Sequence, residues 1–367
     1  MRVCHVTNSL TDASIIADIA AEQADDERFD DVGVLAWFDA DETVAEKDYE
    51  LSCLNVPSGS FRLTRPQYAR AKEILAGYDL VHTHHNHSGF YAKMVARRLG
   101  KPIVVTDHNN HRGFTLKGRV AEAVTNVFAD EVVCVSESVY DSYAWWERVF
   151  ARRSKVSVVN NGVDIERLEN ANSLDWNLRD AAEVDSDAVV VGSAGMLTEQ
   201  KAHDVLVEAV DRANAESDVP VELVISGDGD LRDELEEQIA GCDHPDRLHL
   251  LGFLERKEHV YKMMHEVDVY AMPSRWEGFC VAALEAMGVG NPCVFSDIDE
   301  FVRPFEDVAR FHPVDDADAL SRELLRLVNS AEEREELKKR AKELVEAEYT
   351  ISDCAEGYFE VYGRLTG

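Results

Sequence analysis

Two glutamates, Glu277 and Glu285, stand eight positions apart in the run that leaves Met272, PSRWEGFCVAALEAMGVGNPCVFSD. The run predicts a short strand ending at Met272, a tight loop carrying Glu277 and Gly278, and a helix opening near Phe279 with Glu285 about two turns inside. The first-turn amides of such a helix, around Gly278, Phe279 and Cys280, have no intrahelical partner. Together with the helix dipole they attract a phosphate. A carboxylate beside the phosphates and a second about 9 Å along the axis suit the hydroxyls of a sugar nucleotide. The same spacing also fits a helix capped by an acidic loop, with Glu285 exposed. Six of the 13 histidines, His82, His84, His85, His87, His108 and His111, form a second candidate group. Three or four converging nitrogens would hold zinc; polar lining of an acceptor cleft is the expectation. His82 and His84 share a side only while their strand continues.

The elements that must carry these residues alternate strand and helix. In the first half strands are predicted over 2–7, 32–37, 80–82, 103–106, 132–135 and 156–159, with helices near 13–24, 67–76, 89–99, 117–127 and 138–148. The polar, acidic stretch 165–187 reads as a linker. The alternation then restarts, with strands over 188–194, 221–226, 248–251, 267–272 and 293–296. Helices near 202–215, 231–240, 259–265, 281–287, 317–328 and 332–347 fill the gaps. Short apolar strands between helices indicate parallel sheets covered on both faces. Two doubly wound α/β domains facing across a cleft follow, with ligands at the carboxyl ends of the strands.

A chain of 367 residues is comfortable for two such domains. Apolar residues at 45% exclude disorder, and no run approaches the roughly 18 apolar residues of a membrane span. The opening MRVCHVTNSL lacks the layout of a signal peptide. Seven scattered cysteines without C-x-x-C exclude a disulfide scaffold and suggest a reducing, cytoplasmic setting. Acidic residues outnumber basic ones 71 to 38, a net of −33, and only 12 of the basic residues are lysines. Such charge is relieved in strong salt and resembles proteins of extreme halophiles; it argues against nucleic acid as a partner. Residues 51–165 run the other way, with 15 basic against 10 acidic side chains. Their sharpest piece is WWERVFARRSK, where Trp145, Trp146 and Phe150 lie beside Arg148, Arg152, Arg153 and Lys155. Aromatics among cations suit an anionic membrane surface, or a helix packing its rings inward while its cations snorkel. The GDG at Gly227–Gly229 lacks the full dinucleotide fingerprint, and neither a G-x-S-x-G elbow nor a Walker sequence is present.

The string PSRWEGF, then EAM and GNPCVFSD, closely resembles the E-x7-E donor motif of glycosyltransferase family 4. GMLTEQKAHDVLVEA resembles that family's strand–loop–helix with a diphosphate-binding lysine, here Lys201, and ISGDGD its nucleotide-side turn. VVNNGVD resembles the hinge motif and includes Asn161. YDLVHTHHNHSGF and PIVVTDH resemble the histidine motif and the strand ending at His108. The resemblance implies a GT-B fold, two facing Rossmann-like domains: 1–166 for the acceptor, 167–347 for the donor, and 348–367 as a helix crossing back onto the first. It implies a retaining, metal-independent transfer from a nucleotide-diphosphate sugar to a glycan, lipid-linked or other acceptor, with no cofactor. Carried over by position, Lys201 neutralises the diphosphate, Glu277 contacts the donor sugar, Glu285 binds the ribose, and His108 lies at the reacting centre. Gly195, Gly227, Gly278, Phe279 and Cys280 complete the donor side; His82, His84 and Asn161 face the acceptor.

Four places depart from the pattern. Met196 stands where a second cation is usual, with Arg275 or His203 as candidate replacements. The N-terminal glycine pair is replaced by NSLTDAS, whose Asp12 would repel a diphosphate. Ala202 and Cys280 occupy places usually held by glycine or another small residue. A non-catalytic partner subunit, a nucleotide-sugar 2-epimerase and a synthase for a small soluble acceptor stay open. The positive stretch adds an expectation of a lipid-linked acceptor at the inner membrane face.

Overall fold

The computed structural model describes every residue except 42–43, 45–46, 58–59, 61–62, 112–113, 151–154 and 255, together with the side chains of 86, 87, 150 and 155. The chain divides into two units, Met1–Gly162 with Ile351–Gly367, and Val163–Thr350.

The first unit holds a seven-stranded sheet in the order β3-β2-β1-β4-β5-β6-β7. Its strands are β1 (Arg2–Leu10), β2 (Asp31–Ala40), β3 (Glu50–Cys53), β4 (Leu80–Thr83), β5 (Ile103–Asp107), β6 (Glu131–Cys134) and β7 (Lys155–Val158). All neighbours are parallel. The second unit holds β8 (Val189–Ala194), β9 (Val221–Ser226), β10 (Leu248–Gly252), β11 (Val269–Met272), β12 (Cys293–Ser296) and β13 (Arg310–His312), ordered β10-β9-β8-β11-β12-β13 and again all parallel. Central strands such as β4, β5, β6, β11 and β12 are buried along their whole length. That is why each carries a pair or more of consecutive apolar residues. Each sheet reverses its winding once, between β1 and β4 and between β8 and β11. Crevices for ligands form at such points.

Several expectations need correction. The edge strands β3 and β13 escaped the pattern because they are short and carry polar residues. The stretch 165–187 is not a linker: Asp164 caps a helix over Ile165–Ala171 by accepting from Arg167 N at 2.9 Å, and Asn177 caps another over Leu178–Ala182. Val163 donates to the Tyr349 carbonyl at 2.9 Å, which draws 163–166 into the second unit. The helix expected over 138–148 is two, Glu137–Ser142 and Trp145–Phe150, because Tyr143 is extended (φ −65°, ψ 123°).

The last helix, Ile351–Thr366, packs into the first unit. Ile351, Cys354, Tyr358, Val361 and Tyr362 enter its core beside Ile16, Ile19 and Val34. Arg28 pairs with Glu356 at 2.6 Å and lies 3.9 Å from the Phe359 ring centre; Arg364 pairs with the fully buried Glu131 of β6.

Candidate functional site

In the second unit the candidate donor residues gather at the carboxyl ends of β8, β9 and β11. β8 runs into Gly195 and β9 into Gly227. A Cβ on Gly227 would stand 1.9 Å from the Gly195 carbonyl oxygen, and one on Gly229 2.5 Å from that of Leu197. Glycine is therefore required for the two turns to lie against each other. They are stitched by Gly195 N to Ser226 O and Leu197 N to Asp228 O, both 3.0 Å. The turn after β8 closes in one 3-10 turn, Glu199–Lys201, followed by Ala202 at φ 52°, a left-handed conformation that ordinarily favours glycine. Lys201 donates to Glu277 at 2.7 Å, and its ammonium lies 3.8 Å from the Cys280 sulfur; Gln200 reaches the other Glu277 oxygen at 3.3 Å. Burial works against the ammonium, yet the neighbouring Cys280 sulfur and Glu277 carboxylate together outweigh it, and Lys201 holds its proton more tightly than an ordinary lysine. Burial pushes the Cys280 thiol up to about 12, so it stays neutral.

The helix beyond the loop spans Val281–Val289, with Cys280 as its flanking residue and no side chain capping it. It begins at Val281, as the reading over 281–287 has it and two residues beyond Phe279, which leaves Glu285 little more than one turn inside rather than two. Glu285 is buried, not exposed. It accepts from the Tyr261 hydroxyl at 3.0 Å and lies 3.2 Å from the Lys257 ammonium. Lys257 and Tyr261 share one face of helix Lys257–Glu266 at i, i+4 spacing. Neither was a candidate in the sequence; their spacing in KEHVY was the available signal, but what it faces depends on tertiary packing. Phe279 is buried, its ring 6.3 and 5.6 Å from Phe305 and Tyr349. It can serve a ligand through its backbone only.

In the first unit the histidines cluster at the ends of β1, β4 and β5, where the winding reverses. His5 of β1 lies opposite His82 of β4 in the register. His82 bonds the Tyr362 hydroxyl at 2.7 Å and Thr106 at 2.6 Å; Thr106 in turn meets the Tyr358 hydroxyl at 3.1 Å. His84 bonds His5 at 2.9 Å and His108 at 3.0 Å, and His5 bonds Gln23 at 2.8 Å. His82 and His84 are thus interior groups, held by partners within the first unit. Burial holds both well below the usual imidazole range. All six ring nitrogens of His5, His82 and His84 lie in hydrogen bonds within protein, so this trio forms a network, not a set of free metal ligands. His108 is the partly exposed member. His5 went unnoticed in the sequence because it sits alone in its strand. Asn161 is buried just beyond β7.

His111 belongs to a different group. It bonds Asp107 at 2.5 Å and Glu147 at 2.9 Å, with Glu122 3.6 Å away. Burial opposes its charge, but these carboxylates win and raise it to about 9. Tyr143 donates to Asp107 at 2.7 Å, and Arg119 pairs with Glu147.

Residues 15–167 match the family model for Glycosyltransferase Family 4, and residues 175–344 that for Glycosyl transferases group 1. The two matches follow one another along the chain, in the order of the two sheets. The chain has the GT-B fold. It is 28% identical over 234 residues to the Escherichia coli UDP-Gal:alpha-D-GlcNAc-diphosphoundecaprenol alpha-1,3-galactosyltransferase; the match spans 60% of this chain and 58% of that protein. It is 23% identical to the Escherichia coli O-antigen biosynthesis glycosyltransferase WclY over 87% of each chain. Among solved structures, Anabaena HepE in complex with UDP and glucose superposes with a TM-score of 0.83 over the whole of both chains, at 18% identity.

Within this GT-B protein the candidate replacements for the missing cation, Arg275 and His203, are respectively paired with carboxylates and neutral. The Arg275 guanidinium is held by Asp204 at 2.9 Å and Asp315 at 2.7 Å. His203 is buried, which lowers it to about 4 and leaves it neutral. Met196 is exposed. Asp12 lies 3.7 Å from the Lys47 ammonium, which offsets its charge.

The positive stretch of this GT-B protein carries an apolar surface. Leu116, Val120 and Val124, spaced by four on helix Leu116–Asn126, are exposed, as are Val149 and Trp145, the latter at 78%. The helix Trp145–Phe150 packs beside them, joined by the Arg119–Glu147 pair, with Arg119 5.7 Å from the Trp146 ring. Arg148 is exposed; Arg152 and Arg153, with the side chains of Phe150 and Lys155, lie outside the described residues. No helix among the described residues is long and apolar enough to cross a membrane.

Proposed function

We propose that this protein transfers a sugar from a nucleotide-diphosphate sugar to a hydroxyl of a glycan or lipid-linked acceptor, retaining anomeric configuration and using no divalent ion. The observation that carries the reading is the Lys201–Glu277 pair beside the uncapped first turn of helix Val281–Val289. In the transfer the bond from sugar C1 to the diphosphate oxygen breaks and its electron pair leaves with the diphosphate. The acceptor oxygen bonds to C1 on the same face and its proton passes to the departing phosphate. Negative charge grows on the leaving group, where Lys201 and the first turn of helix Val281–Val289 would meet it. Displaced from Lys201 by phosphate, Glu277 can accept hydrogen bonds from the sugar, and Glu285 from the ribose. His108 serves the reacting centre.

Support for a lipid-linked acceptor comes from the galactosyltransferase, whose name specifies a diphosphoundecaprenol-linked sugar, and from the exposed apolar surface among cations. We read that surface as peripheral contact with an anionic membrane at its inner face, in a cytoplasm rich in salt as the net charge of −33 suggests. Thermal-shift screening against UDP-, GDP- and ADP-sugars in molar KCl, followed by measurement of nucleotide release, tests the donor reading. A shift with one sugar nucleotide and turnover unaffected by chelator is expected; no shift with any of them sinks it. Co-sedimentation with phosphatidylglycerol vesicles should fall on Trp145→Ser with Val120→Ser, and binding equal to that of phosphatidylcholine vesicles would remove the membrane reading. Met196 favours a second reading, a non-catalytic partner subunit, because one cation is missing from the leaving group. Donor turnover by the purified chain dismisses it.

A further inference from the structure

The bonds His5–Gln23, His5–His84 and His84–His108 form one continuous line from helix Ile15–Ala24 to the end of β5. We propose that this line, ending on the Gln23 carbonyl oxygen, fixes His108 with its proton on Nε2 and a lone pair on Nδ1. The group His108 meets is then a hydrogen-bond donor, such as a sugar hydroxyl, and not a phosphate or carboxylate oxygen.

The polarity follows from counting protons. The Gln23 amide is oriented with Oε1 toward His5, 2.8 Å from the imidazole Nε2, and the amide nitrogen is left without a partner among the described residues. In that orientation Oε1 can only accept, so His5 Nε2 carries a hydrogen. A neutral imidazole has one N–H, which leaves His5 Nδ1 as an acceptor. His84 Nε2, at 2.9 Å, must donate to it. His84 Nδ1 then accepts from His108 Nε2 at 3.0 Å. A further proton on His5 Nδ1 or His84 Nδ1 would set two N–H groups against each other in a buried site, whereas at His108 Nδ1 burial is what disfavours one. Burial agrees, lowering His5 to about 4, His108 to about 3 and His84 well below the usual range.

Neighbouring groups do not interrupt the line. Both nitrogens of His82 are taken by Tyr362 and Thr106, His85 Nδ1 bonds Thr7 at 3.1 Å, and Asp107 is held by Tyr143 and His111. Gln23, His5 and His84 are positioning residues; His108 alone is partly exposed. The hydroxyl specificity rests on the transferase reading above, whereas the tautomer does not.

Long-range proton–nitrogen NMR of the full chain, labelled at histidine, reads the tautomers without any donor. His5, His84 and His108 should each show a protonated Nε2 and a lone-pair Nδ1, unchanged between pH 8 and pH 6. Gln23→Met, which removes the terminal acceptor, should raise the opposite tautomer at His5 at least about threefold. A proton on His108 Nδ1 in the wild-type chain, a charged His108 at pH 7, or a Gln23→Met spectrum identical to wild type would overturn the proposal. If Gln23→Met does not fold, the wild-type spectrum still decides the polarity. For the specificity, His108→Gln, which can still accept, should keep at least about tenfold more turnover than His108→Lys, which only donates. Equal losses would overturn the acceptor role. The expected tautomer with no turnover of any sugar nucleotide would instead sink the transferase reading alone.

Discussion

The two sheets place opposite chemistry at equivalent points. Where the winding reverses in the first unit, between β1 and β4, the strands end in imidazoles that burial keeps neutral and that satisfy one another. Where it reverses in the second, between β8 and β11, the turns bring the Lys201 ammonium onto the Glu277 carboxylate. The same architecture thus supports a neutral site and a charged one. What decides between them is the partner each buried group finds: a second imidazole cannot stabilise a charge, whereas Glu277 stabilises Lys201. His111 makes the point within the first unit alone. Only a few residues from His108, it meets carboxylates instead of imidazoles and moves the opposite way.

The sharpest way to break this contrast is to remove a charge from the second unit. Lys201→Ala and Glu277→Ala should each lower turnover at least about a hundredfold, the scale of losing a contact to developing charge. Wild-type rates in nucleotide-release assays for both would show that the site is elsewhere. Next in size is the pH response of the first unit. His111 sits at about 9 in the folded chain against an ordinary 6.5, so its contribution is fully present below pH 6.5 and disappears as pH rises through 9. Up to about 3 kcal/mol is at stake. The neutral His5 and His108 act in the other direction: the unfolded chain takes up protons first, so stability falls as pH drops below 6.5 toward 4. Denaturant titrations should show a maximum near neutrality, and His111→Asn should flatten the alkaline side only. A smaller effect, about 2 kcal/mol, is expected for Gly227→Ala, whose new methyl would collide with the Gly195 carbonyl; unchanged thermal unfolding would mean the two turns can part. Least of all, Tyr261→Phe should raise the donor Michaelis constant about fivefold by loosening Glu285, with kcat kept.

The charged site was far more legible in the sequence than the neutral one. Glu277, Lys201 and the glycine turns follow strands directly, so short-range order sets their positions. The resemblance to family 4 rests on those same strings. Lys257 and Tyr261 were hidden because a helix pattern says which residues share a face but not which glutamate that face meets. In the first unit six histidines were visible, yet their sorting was not. Whether an imidazole lines a cleft or fills a core depends on Gln23, Thr106, Tyr358 and Tyr362, which come from distant parts of the chain. The acidic 165–187 stretch was misread for a related reason. Its caps, Asp164 and Asn177, are themselves polar residues, and composition alone cannot separate a capped short helix from a linker.

The helix over Ile351–Thr366 has a consequence for how the molecule is made. His82 and Glu131 are buried groups whose partners Tyr362 and Arg364 lie 280 and 233 residues further along the chain, beyond the whole second unit. During translation the first sheet emerges early but must wait, with these polar atoms unmatched, until residues 358–364 have left the ribosome. A nascent chain stopped short of Tyr358 would carry a finished second unit attached to an unfinished first one.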